Sequence, residues 1–467
     1  MALTLLLAAF LLLPSMASVG MFLDGVIYAA ISRNLAEGQG TFWALHFSDA
    51  LFPVFREHPP LVFGLQSLFF RALGDSYLTE RAYDLVVLVA STLLLRTLWR
   101  QAVGAIGRAD LVGYWWLALL CWVLVPKWSW AYRNNVLENT MTLLCLAAVS
   151  LALAALLCTR PRNTVGLAVA AAAATLLAFL AKGVPALFVL VAPVLMAAAL
   201  PSAGMRRAVS VTLVQGTVAA LLFALLMALQ PEARAMLAEW WESQVGARTG
   251  LGGGWRIVPE LAKKLAPMLV VWGAAAWVGR WGAGAERSSP PRALAAAFIA
   301  IGVSASLPLV LGDRDSGHYL LPALPFYAVG FGLLAAGALA GRPTVRESLA
   351  RSPRWPFTAA VTAGFVAVIV TSAGRVGEVR KNEAYHRWFE AVAARTGTGV
   401  TLDLAPVLYD DWMLHAVARR HYRITLMPGA AEARWRLAPA KAGARRPAPV
   451  LRSGPWALRR AVDADAR

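Results

Sequence analysis

Residues 22–60 concentrate charged side chains between apolar stretches of the sequence. The segment holds two aspartates, two glutamates, two arginines and no lysine. Charged groups this close to membrane-embedded helices are usually functional, because they are costly to keep there. We therefore expect the rest of the chain to hold this segment over a cavity.

Within it, Asp24 directly follows an apolar helix. Its carboxylate either marks the helix end or acts as a general base that takes a proton from an acceptor hydroxyl. Glu57 and His58 precede Pro59 and Pro60, which stiffen the chain and begin the next helix. An acid and an imidazole at a helix start suit a site that binds a phosphate. The alternative is an ordinary turn before an interfacial helix.

Further polar residues lie at the ends of later apolar segments. Arg81 either snorkels to the interface or contacts a phosphate. Glu138 is a helix-capping acid, a partner of Arg133, or a metal ligand beside Asp24. The remaining polar groups of this kind are Lys182, His318 and Tyr319. Together these residues place carboxylates and cations on one face of the membrane, which suits a reaction between a lipid-linked anionic leaving group and a nucleophile from outside.

The composition is that of a polytopic membrane protein. The chain has 467 residues, of which 59% are hydrophobic and only 15% charged, and its mean hydropathy is +0.59. The net charge of +18 fits arginine-rich cytoplasmic loops and does not call for a nucleic-acid partner. The three cysteines are expected to be small buried hydrophobes.

Eleven segments are long and apolar enough to be predicted spans. They are approximately residues 2–21, 82–100, 111–127, 136–158, 164–181, 184–200, 208–229, 265–280, 292–311, 319–340 and 356–374. The first is read as an uncleaved helix in preference to a signal peptide, because it lacks a basic start. The shorter apolar segment 61–73 is better suited to lie along the interface.

The distribution of arginine sets the predicted orientation. Arginine-rich loops follow the spans that end near residues 100, 158, 200, 280 and 340. Because two spans separate each of these loops from the next, all five lie on the same face of the membrane. The positive-inside rule makes that face cytoplasmic. If 61–73 does not cross, the basic-poor segment 22–60 lies outside. We therefore predict a multi-pass protein of the bacterial inner membrane, with its N-terminus in the cytoplasm and its active site and C-terminus outside.

Residues 375–467 have a different character. NEAYHRWFEAVAART and VLYDDWMLHAVARR are predicted helices, and VTLDL and YRITLM are predicted strands. This pattern indicates a small soluble α/β domain with a partly disordered, Pro/Ala/Arg-rich end. The predicted domains are thus 1–374 in the membrane, with 22–80 as the outer catalytic loop, and 375–467 outside it.

The order of these motifs resembles the GT-C membrane glycosyltransferases. FLDGVIYAAISRNLAEG leads to EHPPL and a short helix, followed by an arginine, NNVLENTMTLLCL, LAKGVPALFVL and GHYLLPALPF. The resemblance covers roughly 1–340 and is strongest to relatives of protein O-mannosyltransferases (family 39-like) and lipid A aminoarabinose transferases. It implies a transfer, with inversion, of a hexosyl or pentosyl group from a polyprenyl-phosphate donor to a glycan, lipid or protein acceptor.

The resemblance also implies site residues. Asp24 matches the catalytic aspartate, and Glu57 matches the acid before the paired prolines. Tyr28 and Arg33 match supporting residues of the following helix. Groups matched to the donor phosphate or lipid are His58, Arg81, Lys182, His318 and Tyr319. Glu138 matches an acid that is linked to a divalent metal in some relatives. Gly25 stands where these relatives often have a second acid, which argues against metal binding.

Two other functional classes are alternatives to the enzyme. A lipid or solute transporter, or a flippase, would place polar groups near the bilayer midplane and often shows inverted repeats. Here the polar residues lie at the outer ends of spans and the two halves differ. An inactive scaffold whose tail binds a partner is the third reading. The pattern favours the enzyme.

Overall fold

The computed structural model describes residues 1–200, 202–244, 246, 254–280, 291–310, 316–340, 354–440 and 449–461. The arginine-rich loops predicted after residues 280 and 340, and much of the Pro/Ala/Arg-rich end, fall largely outside these residues.

Seventeen α-helices account for most of the described chain. They are α1 Ala2–Met16, α2 Leu23–Ala36, α3 Leu61–Leu73, α4 Tyr77–Ala105, α5 Trp115–Val123, α6 Pro126–Tyr132, α7 Leu137–Leu157, α8 Pro161–Lys182, α9 Ala192–Ala197, α10 Met205–Leu229, α11 Pro231–Gln244, α12 Ile257–Arg280, α13 Arg292–Ser306, α14 Leu324–Leu339, α15 Arg354–Ala373, α16 Glu383–Thr396 and α17 Trp412–Tyr422. Short 3₁₀ segments extend several of them.

Eight helices in the described residues are long and apolar enough to cross a membrane. A ninth crossing would join Ala109–Val123 to Pro126–Tyr132, which meet at 82°. The break falls at Pro126, because proline cannot continue the hydrogen bonding of the preceding helix. The predicted span 111–127 is therefore bent.

Two predicted spans, 2–21 and 184–200, form shorter helices. α1 has 15 residues and ends at Met16. Beyond its end, Val19 forms a parallel bridge with Val379 of the C-terminal segment. Residues Val184–Val191 form a 3₁₀ helix before α9. Since a 3₁₀ helix rises about 2 Å per residue, this segment covers more distance than its length suggests.

The C-terminal segment forms a compact α/β unit. Its strands are β1 Thr401–Leu404, β2 Thr425–Met427, β3 Trp435–Pro439, β4 Leu451–Ser453 and β5 Trp456–Arg460, in the order β2-β1-β3-β5-β4. β1 pairs in parallel with β2 and β3, and β5 pairs antiparallel with β3 and β4. α16 and α17 form where predicted, and their buried faces share an apolar core with the sheet.

The fold class predicted from the sequence is confirmed: a polytopic helical protein with a small C-terminal α/β unit. α7 and α14 lie at the centre of the helical part, whereas α10 and α15 are largely exposed and suited to face lipid. The α/β unit packs on the segment 22–60 through α17 and α2.

Candidate active site

Six of the ten predicted site residues line one polar cavity of about 180 Å³. Asp24 and Tyr28 come from the first turns of α2, and Glu57 and His58 from the loop before α3. The other two lie at the ends of distant helical segments, Lys182 on α8 and Tyr319 before α14. The predicted residues therefore converge although they are spread over about 300 positions of the sequence.

The loop before α3 folds back over α2. Asn34 donates to the carbonyls of His46 and Phe47 at 3.0 and 2.9 Å, and the Phe55 N–H donates to the Leu45 carbonyl at 2.6 Å. These bonds place Glu57 and His58 opposite the start of α2. The Tyr28 ring lies edge-on to His58, with 5.7 Å between ring centroids.

The start of α2 is held by the turn between α6 and α7. The Phe22 N–H donates to the Asn134 side chain at 2.6 Å, and Asn135 donates to the Gly25 carbonyl at 3.2 Å. A Cβ on Gly25 would lie only 2.0 Å from the Asn134 carbonyl oxygen. This close approach requires glycine, so Asp24 cannot have a second acid directly after it in this backbone.

Burial raises the pKa of the Asp24 carboxyl. Lys182 opposes this effect, and the negative charges of Glu138 and Glu57 add to it. The phenol of Tyr28 has a pKa well above its ordinary value, because it is buried and lies near Asp24 and other acidic groups. Tyr28 is therefore a hydrogen-bond donor, while Asp24 is a stronger base than an exposed aspartate.

Glu138 lies directly behind this cavity. Its Oε1 atom is 2.7 Å from the Lys182 Nζ and 3.7 Å from the His318 Nε2. The side chains of Glu138 and Lys182 are 1% and 8% exposed, so the pair is shielded from water. A lysine has three N–H donors, and the contact with Glu138 leaves donors for a ligand.

A group of aromatic rings packs beside the Glu138–Lys182 pair. The rings of His318 and Tyr319 are 4.3 Å apart, and His318 stacks on Trp130 at 5.9 Å. The Lys127 Nζ lies 3.2 Å from the centre of the Trp130 ring. His318 is thus placed against Glu138 by stacking, next to the cavity that Tyr319 lines.

Two predicted residues lie away from the cavity. The Arg81 guanidinium donates to the carbonyls of Arg133 and Gly20, the latter at 3.0 Å, so it ties α4 to the chain before α2. Arg33 is buried at the far end of α2, where it donates to the Arg420 carbonyl at 3.0 Å. The geometry gives Arg33 a supporting position, and it does not bring Arg81 to the place where a donor phosphate would lie.

The surroundings of Glu138 do not fit a divalent metal ion. No cluster of three or more His, Cys, Asp or Glu side chains with suitable spacing occurs among the described residues. Glu138, the candidate ligand, already contacts a lysine, and a positive Nζ at 2.7 Å disfavours a second cation. The proposed chemistry therefore includes no metal-dependent step.

Sequence reasoning missed five cavity residues. They are Ile27, Phe52, Phe55, Gln244 and Trp412. Trp412 belongs to the C-terminal α/β unit, and Gln244 ends α11. The aromatic character of the segment 51–55 was the available signal for the two phenylalanines, whereas Trp412 reaches the cavity only through tertiary packing.

A larger, apolar cavity of about 590 Å³ lies between α8, α10 and α11. Its walls include Phe179, Phe223 and Trp240. The Trp240 ring packs on Gly183, where a Cβ would come within 2.4 Å of it. Since Gly183 follows Lys182, and α11 reaches the polar cavity through Gln244, the two cavities are neighbours along α11.

No protein-family model matches the sequence, and the search of curated protein sequences also gives no match. Among solved structures, the chain is similar to ArnT from Cupriavidus metallidurans bound to undecaprenyl phosphate, with 18% identity and a TM-score of 0.49 over 89% of this chain and 73% of that one. It is also similar to the archaeal oligosaccharyltransferase AglB from Archaeoglobus fulgidus in complex with an inhibitory peptide and a dolichol-phosphate, with 13% identity and a TM-score of 0.45 over 94% and 69% of the two chains. Because both TM-scores are below 0.5, these similarities carry no functional argument.

Proposed function

We propose that this protein is a membrane glycosyltransferase that moves a sugar from a polyprenyl-phosphate donor to an acceptor hydroxyl. One observation carries the proposal: α8 and α11 supply side chains both to the polar cavity, which holds Asp24, Glu57 and Lys182, and to an apolar cavity between helices. A lipid-linked sugar has the same two-part character. Its tail suits the apolar cavity, and its phosphate and sugar suit the polar one.

Asp24 acts as the general base. It takes the proton of the acceptor hydroxyl, whose oxygen attacks the anomeric carbon of the sugar on the face opposite the phosphate. The bond between that carbon and the phosphate oxygen breaks, and the configuration inverts. Burial favours this role, because it raises the proton affinity of the carboxylate.

The leaving phosphate is stabilised by cationic and donor groups. Lys182 is fixed by Glu138 and retains N–H donors toward the cavity. His58 and Tyr319 line the same space, and His318 lies behind Tyr319. Preorganised charges aimed at a leaving group are usually the largest source of rate acceleration. Glu57 increases the proton affinity of Asp24 and borders the path of the acceptor.

The proposal places the reaction at the outer face of a bacterial inner membrane. Segment 22–60 is poor in basic residues, which fits a loop outside the cytoplasm. Asp24, Glu57 and His58 are only half-buried and lie at a helix start or in the loop before α3, which gives a soluble acceptor a route to them.

Two measurements test this function. The protein reconstituted in lipid nanodiscs is given synthetic undecaprenyl-phosphate monosaccharides, and release of undecaprenyl phosphate is followed with a cell-envelope extract as the acceptor source. Mass spectrometry of envelope glycans from cells with and without the gene then identifies the product. We expect turnover of at least one donor and one glycan lost with the gene. The protein is also reconstituted in proteoliposomes, and movement of the donor across their bilayer without its cleavage would contradict the enzyme and indicate a transporter.

A further inference from the structure

Trp412 brings the C-terminal α/β unit to the wall of the polar cavity. It is the first residue of α17 and remains 38% exposed. Its ring lies edge-on to Phe52 at 5.4 Å, and Phe52 lies edge-on to Phe55 at 5.5 Å. The three aromatic side chains form a continuous apolar wall beside the two carboxylates.

The start of α17 is fixed from both sides. Asp411 caps the helix by accepting from the Leu414 N–H at 3.1 Å, and it also accepts from the Tyr385 hydroxyl at 3.2 Å. The Tyr409 hydroxyl donates to the Ala50 carbonyl at 2.9 Å. These bonds join the residues before Trp412 to the loop that carries Glu57, so the indole has a defined position relative to the carboxylates.

Phe52 is held in an unusual backbone conformation. Its φ is 55°, in the left-handed region that side chains other than glycine rarely adopt. Such conformations are unfavourable and cluster at binding sites, where the surroundings enforce them. Here the conformation places the Phe52 ring between Phe55 and Trp412.

The two ends of the cavity differ in chemistry. Lys182 and Gln244 lie on the elements that border the apolar cavity, which is the donor side of the proposed reaction. Trp412 belongs to the soluble unit and is partly open to solvent. An acceptor arriving from water would therefore meet the aromatic wall first.

We propose that Trp412 is a specificity-determining residue of an acceptor subsite that binds a pyranose ring, so that the acceptor is a glycan or glycolipid. This inference rests on the proposed transferase function. The C–H face of a pyranose packs on an aromatic ring, which removes apolar surface from water. Its hydroxyls donate to carboxylates such as Asp24 and Glu57. An aromatic wall beside paired carboxylates offers both contacts at once.

The test compares the Trp412→Ala, Trp412→Phe and Trp435→Ala variants with the wild type. Trp435 lies in β3 of the same unit and does not line the cavity, so its variant reports on the general integrity of the unit. The donor is the undecaprenyl-phosphate monosaccharide that the wild type cleaves, and the acceptors are methyl glucoside, methyl galactoside, methyl mannoside and a serine peptide. We expect Trp412→Ala to raise the KM for the glycoside about tenfold, given the usual strength of aromatic packing, with little change in the donor KM. Trp412→Phe should restore most of the loss, and Trp435→Ala should keep the wild-type KM.

An equal rise in the donor KM, an unchanged glycoside KM, or transfer to the peptide alone would overturn the inference. Saturation-transfer NMR of the methyl glycosides with the wild type and Trp412→Ala gives a second readout that does not need turnover. Binding that is lost in Trp412→Ala, in a protein that cleaves no lipid-linked donor, would keep the subsite and refute the transferase. Turnover of the lipid-linked donor without binding of the methyl glycosides would keep the transferase and refute the subsite.

Discussion

Asp24 is the residue on which the proposed chemistry depends, because a base must be deprotonated to accept the acceptor proton. Its pKa is raised by burial and further by Glu57 and Glu138, with Lys182 opposing. Activity should therefore be lost on acidification at a higher pH than an exposed aspartate would give. Glu57→Gln removes one negative neighbour, so the pKa of Asp24 falls and the acid limb moves to lower pH.

The measurement is the pH profile of kcat/KM for donor cleavage in the wild type and Glu57→Gln. Glu232→Gln, at an exposed position on α11, is the matched control and should leave the limb in place. An acid limb that moves to higher pH in Glu57→Gln would contradict the assignment of that limb to Asp24.

A substitution at Gly25 tests how the start of α2 is positioned. A Cβ there would lie 2.0 Å from the Asn134 carbonyl oxygen, so Gly25→Ala must displace the start of α2. We expect a loss of about 1–3 kcal/mol in the free energy of unfolding, as for other overpacked sites. Gly166→Ala on α8 meets nothing within 4 Å and should gain up to about 1 kcal/mol, because alanine is the better helix former. Thermal unfolding in detergent gives both values, and equal stability of the two variants would refute the close contact.

At the scale of elements, α17 joins the C-terminal unit to the start of α4. The Arg420 guanidinium pairs with Asp75 at 2.8 Å and Glu80 at 2.7 Å, and it donates to the Ser76 carbonyl at 2.9 Å. Arg420 and Glu80 have side chains 3% and 0% exposed. Ion pairs this well buried are costly to break from one side, because the remaining charge has no water around it.

Arg420→Met should therefore weaken the docking of the C-terminal unit by about 3–5 kcal/mol. Hydrogen exchange of α17 is expected to accelerate accordingly, with slower turnover as Trp412 and the loop lose their position. Arg387→Met removes an exposed pair of the same unit, Arg387 with Glu383 at 2.6 Å, and should change exchange by at most about 0.5 kcal/mol. Equal protection of α17 from hydrogen exchange in both variants would show that the Arg420 ion pairs do not hold the C-terminal unit in place.

Some of the candidate site residues can be predicted from the sequence, and others cannot. Asp24, Glu57 and His58 are predictable from the sequence because each lies where an apolar segment meets a polar loop, and this pattern is local. Arg81 also lies at a span end, yet its guanidinium donates to backbone carbonyls. No local sequence pattern distinguishes a cation that faces a ligand from one that binds the carbonyl groups of a turn. Trp412 joins the cavity across more than 380 positions from Asp24, which only tertiary packing decides.

At the scale of the whole molecule, the bonds between segment 22–60 and the C-terminal unit require both to lie on one side of the membrane. The Tyr409 hydroxyl to Ala50 carbonyl contact is one such bond. The orientation proposed here makes that side the outside. In a background with Cys121, Cys145 and Cys158 replaced by alanine, single cysteines at Asp49, Val407 and Asp110 test it, since these side chains are substantially exposed.

A membrane-impermeant maleimide added to intact cells should label the cysteines at positions 49 and 407. The cysteine at position 110, in an arginine-rich loop, should react only after permeabilisation. Labelling of position 110 alone in intact cells would invert the orientation, and different results for positions 49 and 407 would contradict the packing of the two parts.

The most direct test of the central claim is the rate of sugar transfer from the lipid-linked donor by Asp24→Asn, which preserves the shape of the side chain and removes the base. Asp49→Asn is the matched control, because Asp49 belongs to the same segment and its side chain is 73% exposed. We expect the rate in Asp24→Asn to fall about a hundredfold or more, the usual worth of a general base, while Asp49→Asn stays near the wild type. Full activity in Asp24→Asn would contradict the assignment of Asp24 as the base.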